Sequence, residues 1–121
     1  MRTTLRIAAA LLACVLAGCG SIQEFKQEND AKFGDQHFKT AIGLIELHKL
    51  RNGKYPESLT ELQFTGDWDQ IALHSVEYKK LPDGYELNVT RGWIGAPQLS
   101  YPPEFFTGLG IKKSNVKSVR K

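Results

Sequence analysis

FKTAIGLIELHKLRNGKYPESLTEL, residues 38–62, carries a helical apolar stripe, a stop and a turn in 25 residues. At about 100° per residue, Phe38, Ala41, Ile42, Leu44, Ile45 and His48 fall within one broad arc, which predicts a helix packed on a core. Lys39, Gly43 and Glu46 lie opposite and are expected to face water. Asp35 precedes Lys39 by four residues in the favourable acidic-then-basic order, and Lys49 and Arg51 bring positive charge to the last-turn carbonyls. Asn52-Gly53 suits a left-handed C-terminal cap, and Pro56 prevents the helix from resuming. Ser58 followed by Glu61 has the spacing of a capping box, so a short second helix is expected over residues 59–64.

Beyond that stretch, residues 65–69 are expected to be loop and residues 71–81 a strand, with Val76 and Tyr78 on one face and Glu77 and Lys79 on the other. Leu81-Pro82-Asp83-Gly84 supplies a turn, proline presetting φ and glycine closing it. Tyr85, Leu87 and Val89 then alternate with Glu86, Asn88 and Thr90, the period of a half-buried strand. One antiparallel hairpin follows. Residues 98–101 are expected as a short third strand ended by Pro102-Pro103, and residues 103–107 as one helical turn. The fold class is therefore α+β: an amphipathic helix on a small antiparallel sheet, with a short second helix between them.

Before residue 38 the chain divides in two. Arg2 and Arg6 precede an apolar run over residues 7–17, too short for the roughly 20 residues that span a bilayer but suited to a secretory signal. Leu16-Ala17-Gly18-Cys19 closes the run and resembles a bacterial lipobox. That resemblance implies a signal peptide over residues 1–18, lipidation of the Cys19 thiol, and acylation of the new amino terminus. Cys19 is then the membrane anchor. Gly20 and Ser21 follow with no aspartate, which by the same resemblance implies the periplasmic leaflet of the outer membrane. Residues 21–36 are polar apart from Ile22, Phe25, Ala31 and Phe33, so residues 19–36 are expected to be the lipidated cysteine and a tether.

Cys14 lies in the discarded run, so the mature chain keeps one cysteine and that one carries lipid. An intramolecular disulfide is excluded. The formal charge of +3 falls to +1 without Arg2 and Arg6. Five positives, Lys112, Lys113, Lys117, Arg120 and Lys121, crowd into residues 111–121, which are expected to be a disordered basic tail. The body, residues 37–110, is mildly acidic and suits one domain. Such a balance does not describe a nucleic-acid partner.

No set of residues carries chemistry. His37 and His48 share a helical side but stand about 16 Å apart along it, too far to share an ion, and His74 is expected alone in a strand. Asp67 and Asp69 look like the opening of a calcium loop, yet no glycine and distal glutamate follow at the required spacing. The serines lie in no nucleophile motif. Neither catalytic, cofactor nor metal residues are expected, and the chain reads as a non-enzyme. Trp68, Trp93, Tyr101, Phe105 and Phe106 lie in or beside expected loops, where rings serve either core or recognition.

Ala41, Ile42, Glu46, Leu50, Asn52-Gly53, Tyr55-Pro56, Leu59 and Leu62 resemble the end of the long helix and the following loop of type II secretion pseudopilins and related type IV pilin-like proteins. Asp83-Gly84-Tyr85 resembles them too. The resemblance covers about a quarter of the chain and implies a fold, helix on sheet. A pilin subunit carries a long apolar helix after its cleavage site, whereas Cys19 is followed by polar residues. The expected function is that of a lipid-anchored periplasmic interaction or accessory module, with an envelope protein as partner, in a secretion or pilus-like system. The alternative is a ligand-binding or inhibitory lipoprotein that uses its aromatic loops on a glycan or a partner enzyme.

Overall fold

A computed structural model describes residues 2–63 and 66–120, and side chains from residue 22 onward. Helix α1 runs over Arg2–Asn52. Phe38, Ala41, Ile42 and Ile45 on its expected inner arc are buried in the core, while Lys39 and Gly43 are exposed. The helix ends as its sequence requires. The Gly53 N–H bonds the Lys49 carbonyl at 2.8 Å with Gly53 at φ 79°, a backbone that costs little only without a Cβ.

The next segment differs from expectation. Leu59–Glu61 is a single 3-10 turn, and Ser58 makes no capping hydrogen bond to the backbone; its hydroxyl meets that of Thr60. Glu61 reaches back instead to the Glu57 N–H at 3.1 Å. The far end of the expected helix, at Phe64, lies outside the described residues. Helix α2 forms over Asp67–Leu73, where loop and strand were expected. The Asp69 carboxylate accepts the Gly66 N–H at 3.1 Å, and acids at the first turn suit the positive end of a helix. α2 packs against α1.

Strand β1, Val76–Leu81, therefore starts five residues later than the sequence pattern suggests, and pairs antiparallel with β2, Gly84–Val89. Leu81 faces Gly84 across Pro82-Asp83, as the turn chemistry requires. Tyr85, Leu87 and Val89 are buried, so the alternation in β2 is the one expected. β3, Ser100–Tyr101, does form but does not join the hairpin. Residues 103–106 make the expected helical turn.

Two expectations about the ends of the domain are corrected. Within residues 111–121, β4 (Ile111–Lys113) pairs parallel with β2 and β5 (Lys117–Ser118) pairs parallel with β3. The sheet order is β1-β2-β4, so the sheet is mixed rather than antiparallel. Val116, buried in the core, supplies the apolar contact that a count of lysines conceals. The Asn115 amide spans the edge of β2 by accepting from the Val89 N–H at 2.9 Å and donating to the Val89 carbonyl at 2.8 Å. Residues 22–36, expected as tether, continue α1 and carry packed positions, Asp30 and Gly34 among them.

Candidate functional site

One polar cluster centres on Glu46, the residue expected to face water. Its Oε1 accepts from the Tyr85 hydroxyl at 3.0 Å and the Gly110 N–H at 2.8 Å, and its Oε2 accepts from the Tyr55 hydroxyl at 3.0 Å. The ring of Tyr85 is 0% exposed, so without this carboxylate its hydroxyl would be stranded. Tyr55 and Tyr85 meet edge to face at 5.1 Å. Burial, and then the Glu46 hydrogen bond, push Tyr55 up to about 12; burial and Glu46 push Tyr85 higher still. One carboxylate thus ties together α1, the Tyr55-Pro56 turn, β2 and the approach to β4. Each donor has a structural role.

A second carboxylate clamps a loop. Asp30 Oδ1 accepts the N–H groups of Trp93, Ile94 and Gly95 at 2.9, 2.7 and 2.9 Å. Hydrogen bonds from Ile94 and Gly95 hold its carboxyl below the usual carboxylate range. The loop comes so close that a Cβ on Gly92 would lie 2.0 Å from the Asp30 carbonyl oxygen, so no other residue fits there. Farther along α1, Asp35 receives the Tyr101 hydroxyl and pairs with Lys39 at 3.0 Å.

Of the aromatic residues singled out in the sequence, Tyr101, Phe105 and Phe106 come together, and Trp68 and Trp93 stand apart from them. Phe105 stacks on Tyr101 with centroids 4.1 Å apart and lies near Phe38 at 6.3 Å, with Phe106 edge-on to it at 5.1 Å. These three line the core. Trp68 stands exposed on α2. Trp93, carried by the clamped loop, meets Phe25 of α1 edge to face at 5.8 Å, and Ile22, Phe25, Trp93 and Ile94 are all exposed.

The histidines are equally separate. His37 is buried against Phe33, and burial lowers its pKa below 6.5. His74 caps α2, its Nδ1 2.7 Å from the Gln70 carbonyl, rather than lying in a strand. His48 Nε2 lies 4.0 Å from a Glu61 carboxylate oxygen, beside a cavity of about 20 Å³. That space holds about one water and no substrate. Glu57 pairs with Lys80, which holds its carboxyl below the usual range. Among the described residues no group of three or more His, Cys, Asp or Glu side chains is placed to hold a metal ion. The Cys19 side chain lies outside the described residues.

No family model, no curated protein and no solved structure matches the chain. Among the described residues no helix is long and apolar enough to cross a membrane.

Proposed function

We propose that the chain is a lipid-anchored protein of the bacterial envelope, facing the periplasm from the outer membrane, and that its single domain is an interaction or accessory module for another envelope protein. The observation that carries this reading is the N-terminal series: Arg2 and Arg6, the apolar run over residues 7–17, and Leu16-Ala17-Gly18-Cys19. A charged start, a short apolar run and small residues before a cysteine are the requirements of export followed by lipid transfer to the thiol. The domain is of the pilin-like helix-on-sheet kind in this reading. Support comes from a long helix stopped at Asn52-Gly53, a Tyr55-Pro56 turn, and a hairpin packed on the helix through Tyr85 and Leu87. The polar residues after Cys19 suit a separate accessory protein rather than a subunit of a fibre.

The polar clusters favour the same reading. The hydroxyls and N–H groups that meet Glu46 and Asp30 are engaged within the fold, and the rings with the greatest exposure are on its surface. The test is Cys19→Ser in cells of a lipoprotein-exporting bacterium. In cells fed labelled fatty acid, the wild type is expected to take up label and lose residues 1–18, and the variant to take up none and keep them. An unlabelled wild type, or equal label on both proteins, would contradict the proposal.

A further inference from the structure

Four apolar side chains stand in water at one end of the domain. Ile22 and Phe25 of α1 are 69% and 58% exposed, and Trp93 and Ile94 of the clamped loop are 45% and 58% exposed. Ile22 and Phe25 are one helical turn apart, and the Phe25 ring touches Trp93, so both elements contribute to one surface. The loop does not bury its own apolar side chains. Asp30 draws the N–H groups of Trp93 and Ile94 inward, which leaves both side chains displayed. A loop pinned at consecutive amides presents these groups in a fixed position, and such a surface marks an interaction site.

The position of the surface identifies what covers it. At about 1.5 Å per helical residue, Ile22 lies about 4.5 Å from Cys19 along α1, Phe25 about 9 Å and the Asp30 clamp about 16 Å. A chain held by acyl groups at Cys19 has these side chains within the headgroup layer, into which interfacial apolar groups sink about 5–10 Å. Tryptophan is enriched at that depth because its ring is apolar and its N–H is not. The charges around the surface are mixed: Lys26 stands one turn from Ile22 and Arg91 adjoins the loop, Glu28 stands one turn from Phe25, and Glu24, at about 100° per residue, projects to the far side of the helix from Ile22.

We propose that Ile22, Phe25, Trp93 and Ile94 form a second membrane contact that seats the domain on the headgroups of the bilayer carrying its anchor. This inference rests on lipidation at Cys19. With it the domain is not a ball on a string: it is fixed at two points, which sets the face it offers to a partner.

The two tryptophans make the contact measurable. Lipidated full-length mature protein, purified as Trp68→Phe and as Trp93→Phe, is reconstituted in vesicles of phosphatidylethanolamine and phosphatidylglycerol with brominated acyl chains. The mass of the N-terminal peptide is taken from the same samples. Circular dichroism verifies that each variant keeps its fold. The expected result is lipid on Cys19, a blue-shifted Trp93 emission, and quenching of Trp93 roughly twofold or more stronger than that of Trp68, as an interfacial ring requires. Equal, weak quenching of both tryptophans on a lipidated chain overturns the second contact and leaves the anchor standing. A Trp93 shift that grows with protein density but is insensitive to bromine assigns the surface to a second copy and also overturns it. An unmodified Cys19 removes the anchor and with it this inference.

Discussion

Replacing Glu46 by alanine removes the acceptor for three donors at once, and the structure permits the cost to be worked donor by donor. The Tyr85 hydroxyl, on a fully buried residue, and the Gly110 N–H, on a buried residue, both lose their bond to Oε1. A stranded buried donor costs about 1–3 kcal/mol, so these two together come to about 2–6 kcal/mol. Tyr55 is half-buried and finds water, so it adds little. Alanine's better helix propensity returns a few tenths of a kcal/mol, about 0.5 at most. The expected loss is about 2–5 kcal/mol, similar to that of Ile45→Ala, which opens a cavity at a residue of 0% exposure. Glu46→Gln keeps the Oε1 acceptor and should cost only about 1 kcal/mol. Urea denaturation of the three variants against wild type measures each directly. A Glu46→Ala variant within about 0.5 kcal/mol of wild type, the scatter of ordinary surface changes, would refute the role given to this carboxylate.

The tyrosines predict alkaline sensitivity. Tyr55 and Tyr78 are both raised from 10 to about 12, chiefly by burial, so the unfolded chain loses these protons first; stability should hold below pH 10 and fall between pH 10 and 12. Asp30 and His37 are lowered, so their contributions are present above pH 3.8 and 6.5 and fade as pH drops through each, and urea midpoints across pH measure both limbs. Asn115→Ala leaves the Val89 N–H and carbonyl without their side-chain partner and should free residues 114–120, seen as faster amide exchange at Val116, Lys117 and Val119; unchanged exchange would show that the tail is held without it.

Most of the architecture was legible where periodicity is a direct consequence of burial. The stripe from Phe38 to Ile45, the stop at Asn52-Gly53, the Pro82-Asp83 turn and the alternation in β2 all read correctly because each follows from local chemistry. The stripe also continues backward through His37, Gly34 and Asp30, at the same spacing as the apolar positions, and all three are buried. A search for apolar residues stops short of it, since the positions hold a histidine, a glycine and an aspartate. Burial there is sustained by Asp30 binding backbone N–H groups and by the closeness Gly92 allows. Glu46 was misplaced for a related reason: its outward angle on an isolated helix says nothing of the Tyr55 turn and Gly110 folding over it. In the tail, charge outweighed the single Val116 and the amide of Asn115, whose partners lie 26 residues away in sequence. α2 was hidden because Asp67-Trp68-Asp69 has loop composition, while its acids serve as first-turn residues. Ile22, Phe25 and Trp93 stand out singly in the sequence, but their union with Ile94 in one surface does not, because the Asp30 clamp joins residues more than 60 apart.

The proposed anchoring stands or falls with the fate of Cys19, which mass spectrometry of the N-terminal peptide of the mature protein from bacterial membranes reads out. The predicted peptide begins at Cys19 and carries acyl chains on both the thiol and the amino terminus. A peptide with an unmodified Cys19, or one that still contains residues 1–18, would contradict it.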